Sequence, residues 1–177
     1  MTKYLACDVG IRGIGCAYFV GDELLRAWYE PEPTAERGPA KWCRVAATLN
    51  YLRDDPSLSP DVLVIETMKV YAGRQGFGKD PDDLLELQGI AGALAFGFRG
   101  GRVVGVLARD WKGQVPKQVM TERIRTWITR RGWLDRLAVP KPARLVHNAI
   151  DAAGLGMVYL GLEGRLQADG RAKRVAR

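Results

Sequence analysis

The chain has 177 residues, 47% hydrophobic and 27% charged, which is the composition of a folded globular domain rather than of a disordered segment. Its 27 Lys and Arg residues outnumber its 20 Asp and Glu residues, and the resulting charge of +7 favours a polyanionic partner such as nucleic acid. Three cysteines without a CxxC pair predict neither a zinc site nor a disulfide framework, so we expect free thiols. No stretch has the pattern of a signal peptide or a transmembrane helix, and we therefore expect a cytoplasmic protein.

The first third of the sequence predicts a three-stranded antiparallel meander followed by a helix. Short apolar runs separated by turn residues such as Gly21 and Asp22 indicate strands over residues 4–7, 13–20 and 24–29. After a proline-rich loop, apolar residues recur at helical spacing over residues 40–52.

The rest of the sequence alternates between helix and strand patterns. The apolar run 62–65 is typical of a strand buried on both faces, and a Gly-rich loop is expected over residues 69–82. The further elements that we predict are helix 83–98, strand 102–107, helix 117–131 and a last helix over 145–160. The order predicts an α/β fold with a mixed sheet, three antiparallel strands then parallel strands, flanked by helices. We expect one domain over residues 1–163 and a basic, disordered tail over 164–177.

Three carboxylates lie at the boundaries of predicted core elements. Asp8 follows the first strand, Glu66 follows the buried strand, and Asp151 lies in the apolar last helix. A buried carboxylate is costly unless it is paired, hydrogen-bonded or bound to a metal, and clustered carboxylates repel one another. Mg2+ prefers such oxygen ligands, and a pair of ions can promote phosphodiester hydrolysis. Taken singly, each acid is also compatible with a solvated loop, a helix cap or a pair with an arginine.

Five stretches of the sequence, in this order, resemble the RuvC family of Holliday junction resolvases. Tyr4–Gly10 with Gly13–Gly15 is similar to the family's first strand with its Asp-x-Gly turn and return strand, and Val64–Thr67 is similar to its strand ending in Glu. Residues 85–92 are similar to its central helix, residues 108–112 to a segment with a basic residue, and His147–Ala152 to its last helix ending in Asp-Ala. The likeness covers about residues 3–160.

This resemblance implies a ribonuclease H-like fold, a homodimer and resolution of four-way DNA junctions by paired nicks. It implies a magnesium-dependent endonuclease in which Asp8, Glu66 and Asp151 hold two Mg2+ ions, with Mn2+ as a substitute and no nucleotide cofactor. The family often has a further ligand three residues before the last Asp, where this chain has Asn148. We favour the neighbouring His147 as the fourth catalytic and metal-binding group, since it shares a helix face with Asp151, and we hold Asn148 in reserve.

Basic and aromatic residues supply candidate DNA contacts. Lys112, also a candidate catalytic residue, or Lys117 would neutralise charge on the scissile phosphate, although solvated surface explains both lysines equally well. The loop after Glu66 mixes rings with cations, which suits an opened junction, and the family likewise uses an aromatic residue there, so Tyr71 or Phe77 is the candidate at the crossover. The candidate DNA-binding residues are Lys69, Tyr71, Arg74, Phe77, Lys79, Lys117 and Arg123, with Arg125, Arg130 and Arg131 beside the last.

The small residues of the central helix predict its contact partner. Gly89, Gly92, Ala93 and Gly97 allow close packing, and we expect this face to form the dimer contact, unless it packs only on its own sheet.

Three other functions stay open. The Asp8–Gly15 stretch also resembles the YqgF-like nucleases, which would act on structured RNA. A catalytically silent module that binds branched DNA would keep the fold and the basic surface. An actin-like ATPase is disfavoured by the length and by the lack of a second phosphate-binding loop.

Overall fold

The computed structural model describes residues 1–32, 37–48, 59–67, 80–98, 101–113 and 115–161. Five strands form one sheet in the order β3-β2-β1-β4-β5. Strands β1, β2 and β3 are antiparallel, whereas β1 with β4 and β4 with β5 run parallel, so the predicted mixed sheet is confirmed. Their bounds are β1 Lys3–Gly10, β2 Gly13–Val20, β3 Glu23–Pro31, β4 Val62–Thr67 and β5 Arg102–Leu107.

The described residues include five α-helices that flank the sheet: α1 Pro39–Thr48, α2 Pro81–Gly97, α3 Ala108–Trp111, α4 Lys117–Arg130 and α5 Val146–Tyr159. Helix α2 begins two residues earlier than predicted because Asp80 caps it, accepting a 3.0 Å hydrogen bond from the Asp82 amide, with Pro81 in the first turn. The short helix α3 was not predicted. It ends beside Lys112, so it decides where that lysine lies.

The two faces of the sheet carry separate hydrophobic cores. Side chains alternate along each strand, so Ala6 and Val64 pack under α4 and α5, while Leu5 and Leu63 pack under α1 and α2. By the same alternation, Asp8 and Glu66 belong to the α5 face. The order of the elements therefore brings three segments that are distant in sequence to one face of the sheet.

A buried ion pair, which the sequence did not predict, lies on the opposite face. Lys41 of α1 is 1% exposed, and its Nζ lies 3.6 Å from Glu86 Oε1 of α2. The Lys41 ammonium also donates to the Ile11 carbonyl oxygen, and the Gly38 amide donates to Glu86 Oε2 at 3.0 Å. This pair thus ties both helices to the β1–β2 turn.

The small-residue face of α2 is largely used inside the chain. A Cβ atom at Gly89 would lie 2.1 Å from the Trp42 ring, and one at Gly97 would lie 3.3 Å from Ala46, so these glycines let α1 approach. Only Gly92 of the three glycines has nothing within 4 Å. The prediction that the whole face serves a dimer contact is therefore wrong for Gly89 and Gly97.

Some predictions fall on residues that the structure does not describe. They are the end of the first predicted helix from residue 49 onward, most of the loop 69–82, and the tail 164–177 with the domain boundary before it. Among the described helices, none has both the length and the apolar character needed to cross a membrane.

The close approach of α5 to β2 gives a test of the fold. A Cβ atom at Gly15 would lie 2.0 Å from the Asn148 carbonyl oxygen, so we expect Gly15→Ala to lower the free energy of unfolding by about 3 kcal/mol in urea titrations. Gly92→Ala is the matched control: it adds the same methyl group in open space on a helix and should stabilise the protein by about 0.5–1 kcal/mol. Equal stability of Gly15→Ala and wild type would contradict this packing.

Candidate active site

Asp8 and Glu66 lie side by side on adjacent parallel strands. Cys7 of β1 pairs with Ile65 of β4, and the two acids are the next residues on each strand. Strand β1 continues to Gly10 and β4 to Thr67, so the acids lie inside the strands rather than just after them, as the sequence had suggested. The backbone hydrogen bonds of the sheet therefore hold both carboxylates in place.

Lys112 connects these two acids. Its Nζ lies 2.7 Å from Glu66 Oε2 and 3.6 Å from Asp8 Oδ1. The preceding Trp111 donates an indole hydrogen bond of 2.9 Å to the same Glu66 oxygen. Glu66 is 6% exposed and Trp111 5%, so the hydrogen bond between them is shielded from water, whereas Asp8 and Lys112 are partly exposed to the cleft.

Asp151 lies on α5, which packs on the same face of the sheet. It is 1% exposed, and its Oδ1 accepts a 3.2 Å hydrogen bond from Thr121 of α4. The Nζ of Lys117 lies 3.6 Å from its other oxygen, Oδ2, which is buried and has no hydrogen-bond partner among the described residues. The partners of this acid are thus a threonine and a lysine, not an arginine.

The charges of Glu66, Asp151 and Lys112 act on the ionisation of Asp8. Burial raises the pKa of Asp8 from 3.8 to about 7; Lys112 opposes the rise, and the charges of Glu66 and Asp151 add to it. Burial alone would lower the pKa of Lys112, but Asp8 and Glu66 outweigh it, so this pKa is raised and the ammonium form persists. Asp8 and Glu66 thus meet at Lys112, and the convergence of all three acids on shared ions stays a prediction.

His147 and Asn148 both line the cleft that contains Asp8 and Glu66. His147 Nδ1 lies 2.7 Å from the Arg144 carbonyl oxygen. Because a carbonyl only accepts, Nδ1 carries the proton, and Nε2 keeps a free lone pair in the neutral ring. Asn148 Nδ2 donates to the Leu145 carbonyl oxygen at 3.1 Å. The geometry thus brings both candidates to the site without choosing between them.

The cleft has a volume of about 500 Å³ and is lined by groups of both charges. Beside Asp8, Glu66 and Lys112, its lining includes Arg12, Tyr29, Asp83 and Lys117. The Tyr29 hydroxyl donates to the Arg12 carbonyl oxygen at 2.6 Å, which fixes the β1–β2 turn at the rim. The sequence had singled out neither Arg12 nor Tyr29, because only the folded hairpin brings them to the acids.

The donor groups fit a divalent cation in their chemistry. Three carboxylates supply the hard oxygen ligands that Mg2+ prefers, and Oδ2 of Asp151, which has no hydrogen-bond partner among the described residues, is a buried acceptor that a cation would satisfy. In the described part of the chain, however, no group of three or more His, Cys, Asp or Glu side chains is already arranged to hold an ion. Lys112 instead provides the positive charge between Asp8 and Glu66.

The predicted DNA-binding residues have different outcomes. Lys117 is 61% exposed and lines the cleft. Arg123, Arg125 and Arg130 are exposed on α4, outside the cleft lining. The five loop candidates, Lys69, Tyr71, Arg74, Phe77 and Lys79, lie outside the described residues.

The raised pKa of Asp8 predicts a pH-dependent stability. The unfolded Asp8 ionises near its ordinary pKa of 3.8 and the folded one near 7, so this carboxyl group stabilises the metal-free fold at low pH and loses that contribution as the pH rises to about 7. Asp8→Asn removes the titration. In EDTA, we expect its Tm to exceed that of wild type by roughly 5 °C at pH 8 and to match it at pH 4. The Tm of the exposed control Asp135→Asn should not change with pH relative to wild type. A Tm difference between Asp8→Asn and wild type that is constant with pH would contradict the raised pKa of Asp8.

No protein-family model matches this chain, and no curated protein matches it in sequence. Solved structures do match. RuvC of T. thermophilus in complex with a Holliday junction substrate is 16% identical, with 95% of this chain and 98% of that chain covered and a TM-score of 0.59. A second T. thermophilus RuvC structure is 15% identical, with 94% of this chain and 97% of that chain covered and a TM-score of 0.55. The yeast mitochondrial Holliday junction resolvase Ydc2 is 13% identical, with 94% of this chain and 80% of that chain covered and a TM-score of 0.57. At these identities the likeness concerns the fold, and this chain has the RuvC-like fold of the ribonuclease H type that its motifs predicted.

Proposed function

We propose that this chain is a divalent-metal-dependent endonuclease that resolves four-way DNA junctions. The observation that carries the proposal is the pairing of Asp8 and Glu66 with Lys112, on the face of a RuvC-like sheet that helix α5 covers with the buried Asp151. The fold alone hosts many activities, so the argument rests on the site. One solved structure of this fold is RuvC in complex with a Holliday junction substrate, which supports branched DNA as the substrate class.

Asp8, Glu66 and Asp151 would hold two Mg2+ ions, or Mn2+ in their place. When bound, such ions activate water and stabilise the charge of a phosphodiester undergoing hydrolysis. The three acids would bind the ions through their oxygens. The strands and α5 would keep those oxygens together against their mutual repulsion.

Lys112 and Lys117 would bind the substrate phosphate. Lys112 is anchored between two acids, so its ammonium is held at a fixed place in the cleft. Lys117 is more exposed and lies 3.6 Å from Asp151, so it suits the rim, where a phosphate enters from solvent. Both cations would neutralise the charge that develops on the phosphate oxygens.

His147 would be the fourth active-site group. Its Nδ1 donates to a backbone carbonyl, which fixes the tautomer and leaves Nε2 to accept a hydrogen bond or to bind a cation. Asn148 remains the alternative, since its amide nitrogen is engaged but its oxygen is a possible ligand.

The wider DNA surface would combine exposed arginines with the loop after Glu66. Arg123, Arg125 and Arg130 lie on the exposed face of α4 and would contact the sugar-phosphate backbone. In the loop, Tyr71 or Phe77 would stack at the opened crossover, and Lys69, Arg74 and Lys79 would follow the phosphates.

Paired nicks need two active sites, so the proposal includes a homodimer. Two large apolar side chains of α2 are exposed: Leu85 is 67% exposed and Phe96 92%. They lie eleven positions apart, which is three helical turns, so they share one face of α2. A second copy of the chain would bury this face and place two sites on opposite strands of a junction.

The decisive test is cleavage of a synthetic four-way junction by the purified protein. With Mg2+ we expect paired nicks in the junction and little cleavage of duplex DNA or structured RNA. Asp8→Asn, Glu66→Gln and Asp151→Asn should each reduce nicking to below about 1% of wild type while junction binding survives. His147→Ala should cost about a hundredfold, and Asn148→Ala serves as its comparison.

Two results would redirect the proposal. Preferential cleavage of structured RNA would favour a YqgF-like activity. Junction binding that is unchanged by EDTA, with no cleavage in Mg2+ or Mn2+, would identify a silent DNA-binding module.

The dimer is tested separately. Phe96→Glu places a charge in the proposed contact, so we expect a monomer in sedimentation velocity, with at least about a tenfold weaker association, and single rather than paired nicks. Val139→Glu is the matched control, because Val139 is 66% exposed and lies outside α2. A wild-type protein that is monomeric at tens of micromolar, alone and on junction DNA, would refute the dimer.

A further inference from the structure

The ring of Trp111 contacts the parts of the chain that carry the acidic cluster. Its Nε1 donates to Glu66 Oε2 at 2.9 Å, and its face lies 4.4 Å from the Lys112 ammonium. A Cβ atom at Gly154 would lie 3.2 Å from the ring edge, so the ring packs against α5 at a position three residues after Asp151. Trp111 thus touches β4, α5 and the lysine that bridges Asp8 and Glu66.

The hydrogen bond constrains the carboxylate of Glu66. Trp111 and Lys112 bind the same oxygen, Oε2, so two donors from neighbouring residues fix how the carboxylate is rotated. An indole N–H has no acceptor function and forms a strong hydrogen bond to an ionised carboxylate. Since Glu66 is 6% exposed, water competes little for that oxygen.

We propose that Trp111 is a positioning residue that orients Glu66 for binding of a divalent cation. Its N–H group, and not only the bulk of its ring, sets the geometry of the ligand. This inference rests on the proposed metal-dependent function. Groups that orient a metal ligand through a hydrogen bond typically change metal affinity by about 10- to 100-fold.

The alternative is that Trp111 only fills the core beneath the acids. The two roles separate in Trp111→Phe, which keeps an aromatic ring and removes the donor. A filling role predicts a loss of thermal stability with unchanged cation affinity. A positioning role predicts a loss of affinity that depends on Glu66.

The test is the affinity of the purified full chain for Mn2+, measured by isothermal titration calorimetry without DNA. We expect Trp111→Phe to weaken binding by about tenfold or more. Trp133→Phe is the matched control, because Trp133 is also buried and packs on Phe19, and we expect its affinity to match that of wild type. Adding Trp111→Phe to Glu66→Gln should cause no further loss of affinity, since the two residues act as one unit.

A measurement on wild-type protein covers the case in which Trp111→Phe does not fold. The chain has five tryptophans, and the assigned indole N–H resonance of Trp111 should shift when Mg2+ is added, while that of Trp133 should not. An unmoved Trp111 resonance at saturating Mg2+, or equal Mn2+ affinity of Trp111→Phe and wild type, would overturn the positioning role and leave the proposed nuclease intact. Failure of wild type to bind Mn2+ or Mg2+ at all would overturn both.

Discussion

The constraint on which the site depends is that the fold brings Asp8 and Glu66 to one ammonium, Lys112, and the buried Asp151 to the same face of the sheet. Asp8, Glu66 and Asp151 would carry three negative charges; Lys112 lies between the first two, and Lys117 lies beside the third. Burial raises the pKa of Asp8 despite the nearby Lys112, so this carboxyl group favours a proton or a further cation. The fold therefore holds together carboxylates that would separate in a flexible chain, and added positive charge would reduce their mutual repulsion.

Ordinary rules of sheet and helix packing produce this confinement. The two-residue period of β1 and β4 sends Asp8 and Glu66 to the same face, and their parallel pairing puts them at the same level. Gly15 lacks a side chain, so the start of α5 can approach β2, and α5 carries Asp151 to this face of the sheet. Each acid thus lies on a different element, β1, β4 or α5. Since these elements are regular and no flexible loop carries an acid, the positions of the acids are well defined.

The sequence could place the acids within the fold because each lies in a local pattern. Apolar runs identified both strands, and β5 has the bounds that were expected. Contacts between distant segments could not be predicted, because no local sequence pattern indicates that Thr121 pairs with Asp151 or Lys41 with Glu86. Trp111 was adjacent to a predicted lysine, but its role depends on α3, a helix of four residues that is too short to leave a periodic pattern.

The charge distribution links the binding of cations to the binding of DNA. The chain has a net charge of +7, yet the centre of its cleft is acidic, and its rim carries Arg12 and Lys117. A phosphate would be attracted to the rim and repelled at the centre until divalent ions offset the charges of Asp8, Glu66 and Asp151. Under the proposed function, each ligand would therefore raise the affinity for the other by the same factor. The acidic centre would then discriminate against unproductive contact, since a phosphodiester would settle among the three acids only when the ions needed to cut it are present.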